Sequence, residues 1–76
     1  MDWKSRITRD PDILFGKPAI RGTRIAVELI LSFLANGWTE EDLLESYPII
    51  TKEDIKACLA YAAALVDAEK ARPIAS

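Results

Sequence analysis

Near Ala26 the spacing of apolar residues changes period, and that change divides the chain into two kinds of structure. Upstream, Ser5 to Arg9 alternates polar and apolar residues and reads as a short strand. Asp10-Pro11-Asp12 closes it, because proline cannot donate to a strand ladder. Ile13-Leu14-Phe15 forms an apolar patch ahead of Gly16. Lys17 is pushed toward an extended conformation by the proline that follows it, and Pro18 to Ile25 reads as a second extended segment. Within that segment Gly22 marks a place where a residue without a Cβ turns or bulges the backbone. Two strands alone make a barely stable ribbon, so the ribbon must lie on helices or join that of a second copy.

From Ala26 the period is helical. Val27, Ile30, Leu31 and Leu34 recur at turns of a helix, with Leu29 and Phe33 widening the stripe until Asn36-Gly37 offers a carboxyl cap. A helix apolar nearly all round is expected to be the central one, with Trp38 packing back across its end. Thr39-Glu40-Glu41-Asp42 then opens a second helix: the hydroxyl accepts from a free amide and the acids sit at the positive end of the helix dipole. Leu43, Leu44 and Tyr47 face inward, and Pro48 stops it. Thr51-Lys52-Glu53-Asp54 repeats the pattern and opens a third helix, in which Ile55, Cys58, Leu59, Ala62, Leu65 and Val66 keep a helical period to about Glu69. Seven alanines between Ala57 and Ala71 allow a further helix to approach closely.

The expected architecture is mainly α, one domain in three parts. Residues 1–25 form an N-terminal β ribbon and arm, residues 26–70 a three-helix unit, and residues 71–76 a carboxyl tail. Seventy-six residues bury only about 60% of the unfolded surface, while half the residues are apolar. That combination suggests that a second copy or a partner covers part of the chain, and a homodimer is expected.

Charge is divided along the same boundary. Residues 1–24 carry six cations (Lys4, Arg6, Arg9, Lys17, Arg21, Arg24) against three acids, whereas residues 25–76 carry four cations against nine acids. Either the first third meets an anionic partner while the helical part faces something basic, or both are simply solvated faces. The single cysteine, Cys58, argues against a disulfide framework and fits a reducing compartment, so a cytoplasmic location is expected. Residues Met1 to Arg24 lack the apolar core of a signal peptide. The longest apolar run, Ile25 to Ala35, is interrupted by Glu28 and Ser32 and is shorter than the roughly 20 residues of a membrane span, so no membrane role is expected.

Catalytic chemistry is not expected. There is no histidine, the one thiol lies on the apolar face of a helix, and neither a metal cluster nor a nucleophile with an evident base can be assembled. Gly16-Lys17 lacks the rest of a phosphate-cradling loop. No cofactor is called for.

Two stretches are candidates for binding. Thr39 to about Ala64 has the outline of a helix-turn-helix, whose recognition residues would include Thr51, Lys52 and Lys56. Glu53 and Asp54 among them would be repelled by phosphate, and an ordinary helical hairpin has the same outline. The second stretch is Gly16 to Ile25. Arg21 and Arg24 fall on opposite faces of an ideal strand unless Gly22 bulges it; brought together, they would grip a phosphate or carboxylate. The alternative is that one of them caps the carboxyl end of a helix or pairs with Glu28 or Asp10.

Ile7-Thr8-Arg9-Asp10-Pro11, Gly16-Lys17-Pro18-Ala19-Ile20-Arg21-Gly22-Thr23-Arg24-Ile25, Leu34-Ala35-Asn36-Gly37-Trp38-Thr39-Glu40-Glu41-Asp42-Leu43-Leu44 and Tyr47-Pro48 together resemble the small prokaryotic domain-of-unknown-function family numbered four-three-three. The likeness runs from about Ile7 to Ala64, and its identifying motif is Gly16, Lys17, Pro18, Arg21, Gly22, Thr23 and Arg24. The resemblance implies a homeodomain-like three-helix bundle with a helix-turn-helix and a short N-terminal β element, usually dimeric. It also implies an antitoxin-like protein that neutralises a PIN-like ribonuclease toxin encoded beside it and represses its own operon. It supplies no catalytic residues. Ala26 departs from the family, many of whose members open the first long helix with proline.

Three expectations follow: an antitoxin using the acidic helical half (Glu40, Glu41, Asp42, Glu45, Glu53, Asp54, Asp67, Glu69), a DNA-binding autorepressor, or a structural adaptor without a nucleic-acid role.

Overall fold

The computed structural model describes residues 1–69; the expected tail at 71–76 lies outside the described residues. A 3-10 turn at Trp3–Ser5 leads into strand β1 (Ile7–Thr8), which pairs antiparallel with β2 (Ala19–Ile20) in the register Ile7 to Ile20 and Thr8 to Ala19. Three helices follow: α1 (Val27–Ala35), α2 (Glu40–Ser46) and α3 (Lys52–Glu69). The chain is thus mainly α with a small antiparallel β element at its amino end.

Both strands are shorter than the sequence pattern suggests. Polar-apolar alternation from Ser5 leaves only two residues in β1, because the chain before it closes into the 3-10 turn, with the Arg6 amide donating to the Trp3 carbonyl at 2.9 Å. The second extended segment does not run on to Ile25. It folds back after Ile20, so that the Ile20 amide donates to the Ile25 carbonyl at 2.9 Å and Ala26 bridges to Ala19. The ribbon lies on the helices, with Ile7 and Ile20 both buried and β1 touching α3.

The fold-back also starts α1. Ala26 is its N-cap and makes no side-chain capping bond, but the Val27 amide donates to the Pro18 carbonyl at 2.9 Å. One of the free donors at the helix end is thereby satisfied by backbone. At the other end, the amides of Gly37 and Trp38 donate to the carbonyls of Leu34 and Phe33, a double closure with Gly37 at φ +93°. The Trp38 ring stacks 4.2 Å from that of Phe33, which fixes the direction of the chain into α2.

Helices α2 and α3 open with the same device. Thr39 accepts the Asp42 amide at 3.1 Å while Asp42 accepts the Thr39 amide at 2.8 Å; Thr51 and Asp54 repeat the exchange at 3.2 and 2.9 Å. Each box satisfies two donors that a bare helix end leaves open.

The central helix is α3, not α1. Leu29 is 37% exposed and only Val27 and Ile30 of α1 are buried, whereas α3 buries Ile55, Ala57, Cys58 and Tyr61 and touches α1, α2, β1 and the 3-10 turn. A helix that is apolar on every side has more greasy surface than one small body covers, so its composition overstates its burial. Trp3 closes the core from the amino end, meeting Tyr61 edge to face at 4.8 Å.

Candidate functional site

The motif from Gly16 to Ile25 is a tight structure in which most members have a local task. Gly22 has φ +80°, a left-handed conformation open to glycine at little cost. It permits the reversal in which the Thr23 amide donates to the Ile20 carbonyl at 3.0 Å. The Thr23 hydroxyl donates to the same carbonyl at 2.7 Å and accepts the Ile25 amide at 3.0 Å. Pro18 contributes the carbonyl that receives α1. The glycine therefore turns the chain rather than bulging a strand.

The motif cations separate into engaged and free. Arg21 reaches back to the 3-10 turn, donating from Nε to the Ser5 carbonyl at 3.0 Å and from Nη2 to the Lys4 carbonyl at 3.3 Å. It thereby closes the carboxyl end of a short helical turn. Lys17 Nζ lies 2.8 Å from Glu28 Oε1 on α1, with both side chains more than half exposed. Arg24 is exposed and has no hydrogen bond or ion pair among the described residues. Arg21 and Arg24 are not drawn into one clamp.

A third arginine, outside the motif, is also engaged. Arg6 Nη1 donates to Asp54 Oδ1 at 3.1 Å, tying the ribbon to the start of α3. This turns Asp54 away from solvent, so of the two acids at the proposed recognition end only Glu53 stays exposed. Thr51 is occupied by its capping box, while Lys52 and Lys56 are exposed and, four residues apart, share one helix face.

Behind that end lies Cys58, fully buried. Burial, reinforced by the negative charge of Asp54, pushes its thiol from 9.0 up to about 12. It is protonated at neutral pH and behaves as a small core side chain. Among the described residues no group of three or more His, Cys, Asp or Glu is placed to hold a metal, and no helix is long and apolar enough to cross a membrane.

Two features are not signalled by the motif. Leu14 and Phe15 both have positive φ, 52° and 56°, a conformation that costs non-glycine residues about 1–2 kcal/mol each. The turn they form with Gly16 leaves Phe15 98% exposed. An open groove of about 240 Å³ runs between α1 and α3, lined by Pro18, Val27, Leu31, Tyr61, Ala62 and Leu65, with Lys17 and Glu28 on its rim. In the sequence, the apolar run before Gly16 hints at the first; nothing local signals the groove.

The family model DUF433, described as a protein of unknown function, matches residues 7–62. An uncharacterized protein, y4eO, of Sinorhizobium fredii (strain NBRC 101917 / NGR234) is 40% identical over 58 residues, covering 76% of this chain and 26% of its own length. This chain therefore spans about a quarter of that curated relative. A crystal structure of a DUF433 member protein from Anabaena variabilis ATCC 29413 superimposes with a TM-score of 0.73 at 31% identity, over 88% of this chain and 69% of that one.

Proposed function

This chain belongs to the DUF433 family of proteins of unknown function, and from that premise we propose that it is an antitoxin-like binding protein that neutralises a PIN-like ribonuclease encoded beside it. The observation carrying this reading is the fate of the charges. Arg6, Lys17 and Arg21 are engaged within the fold, which weakens the ribbon as an anion surface. Glu41, Glu45 and Glu53 remain exposed on α2 and the start of α3. Glu41 and Glu45, one helical turn apart, present adjacent carboxylates suited to the basic groove in which a ribonuclease holds a phosphate backbone.

The test is inhibition of RNA cleavage by the purified neighbouring nuclease. Glu41→Lys with Glu45→Lys is expected to abolish inhibition while leaving the helix content intact. Asp42 stays native because it closes the capping box of α2. Inhibition that survives the double reversal would remove the acidic face as the docking surface, and no binding by the native chain would remove the reading itself.

A second reading is supported by Lys52 and Lys56. We propose a homeodomain-like arrangement in which α2 and α3 serve as a helix-turn-helix, α3 entering the major groove to repress the chain's own operon. Binding to the promoter fragment would then weaken with salt, and each lysine replaced by alanine would lower the slope by about one unit.

A further inference from the structure

The fold re-sorts the cations of the first third of the chain into two ends of the ribbon. The register of Ile7 with Ile20 and Thr8 with Ala19 puts Arg6 and Arg21 at one end, where the Arg21 amide donates to the Arg6 carbonyl at 2.8 Å. Arg9 and Lys17 fall at the other, with Lys17 drawn to Glu28.

At the first end three segments meet. Arg21 binds the Lys4 and Ser5 carbonyls, which holds the Gly22 turn against the amino-terminal 3-10 turn. Arg6 binds Asp54, which ties the ribbon there to the start of α3. Residues 2–6, 21–24 and 52–56 together carry six cations against three acids, whereas the whole chain has ten against twelve. One of those acids, Asp54, is paired with Arg6, and another, Asp2, accepts the Lys4 amide. Lys4, Arg24, Lys52 and Lys56 are exposed, and among the described residues their side chains have no hydrogen bond or ion pair.

Resting on the reading of α3 as a DNA-contacting helix, we propose that this end is one phosphate-binding face for double-stranded DNA. Lys4 and Arg24 grip the sugar-phosphate backbone beside the groove that α3 enters. In a helix-turn-helix the first helix ordinarily crosses that backbone. Here α2 carries Glu40, Glu41, Asp42 and Glu45 and no cation, so phosphate repels it. Two lysines on α3 alone release few counterions and give little hold. The ribbon end supplies the missing contacts, because it is fastened to the start of α3 and brings free cations there. Of the motif residues, Arg24 alone has no task inside the fold. The glycines turn the chain, Lys17 pairs with Glu28, the Pro18 carbonyl receives α1, and Arg21 and Thr23 bond to backbone carbonyls. Those bonds fix the turn that presents Arg24, so little ordering is lost when it binds.

Fluorescence anisotropy of the full chain on the promoter fragment of its own operon, over a salt series, tests this. Lys4→Ala and Arg24→Ala should each lower the slope of log affinity against log salt by about one unit. Each should also weaken binding several-fold at low salt, with a thermal melt close to the native one. The losses should be the same on a duplex of unrelated sequence, because a phosphate contact carries no base information. Arg9→Ala, at the other end of the ribbon, should bind as the native chain does. If Lys52→Ala and Lys56→Ala lower the slope while Lys4→Ala and Arg24→Ala do not, α3 contacts DNA without the ribbon end, which overturns this proposal alone. A native chain that binds neither duplex overturns both this and the operator reading. An equal loss in Arg9→Ala would reduce the effect to diffuse attraction. An Arg24→Ala chain that binds DNA normally but no longer inhibits the nuclease would assign the residue to a protein partner. Either result overturns the proposal.

Discussion

Arg6 and Asp54 are joined across 48 residues of sequence by a single contact of 3.1 Å between Nη1 and Oδ1, and the other carboxylate oxygen of Asp54 accepts the Thr51 amide. One side chain thus closes the start of α3 and anchors the amino-terminal ribbon to it. The Asp54 side chain is 12% exposed and that of Arg6 39%, so the pair is only partly screened by water. What holds the arm on the helices is this contact together with Ile7, Ile20 and the Trp3–Tyr61 ring pair.

Replacing Asp54 by alanine should therefore cost more than replacing Asp42. Both lose a capping box, worth about 1 kcal/mol, but only the first also strands an arginine, adding about 1 kcal/mol after discounting for the exposure of Arg6. Urea denaturation of the two variants checks this. Equal losses would mean that the Arg6 contact contributes nothing.

The two motif arginines should behave differently. Arg21→Ala removes charge-assisted bonds to two carbonyls at an exposed site and is expected to destabilise by about 0.5–1.5 kcal/mol. Arg24→Ala should fall within about 0.5 kcal/mol of the native chain. Thermal melts of both would separate a structural role from an available one, and a large loss at Arg24 would contradict its free placement.

Gly22→Ala isolates a backbone cost. A Cβ at Gly22 would meet nothing within 4 Å, so the expected loss of about 1 kcal/mol comes from φ +80° alone. Phe15→Gly should run in the opposite direction, gaining up to about 1 kcal/mol by relieving φ 56° in a ring-free turn. Chemical denaturation reads both. A destabilised Phe15→Gly would show that the ring packs within its own chain.

Helix content and the starts of α2 and α3 are legible in the sequence because they are local: a period of 3.6 residues and a Thr-x-x-Asp pattern specify themselves within one turn. The carboxyl end of α1 at Gly37 is legible for the same reason. The reversal at Gly22 is only half legible, since a glycine signals departure from the strand but the bonds of Thr23 decide which way. The centrality of α3, the pairing of Arg6 with Asp54 and the groove are set by which surfaces meet, and no spacing within a segment encodes them. The exposure of Phe15 is only hinted at by the apolar run before Gly16, because what directs the side chain out is the left-handed turn, which the residue types of Leu14 and Phe15 do not announce.

Cys58 supplies a prediction tied to pH. In the folded chain its thiol keeps its proton up to about pH 12, against an ordinary value of 9.0. Between those values the unfolded chain has released a proton that the folded chain retains, so the unfolded state binds fewer protons and stability falls as pH rises, by up to about 1.4 kcal/mol per pH unit. Below pH 9.0 both states hold the proton and the thiol adds no pH dependence. Other groups titrate in the alkaline range too, which makes the informative quantity the difference between the native chain and Cys58→Ala. That difference should be constant through neutral pH, where it reports the lost packing, and should shift against the native chain as the pH passes above 9.0. Urea denaturation of both proteins across this range measures it, and a difference that stays flat would show that the thiol ionises as freely in the core as in water.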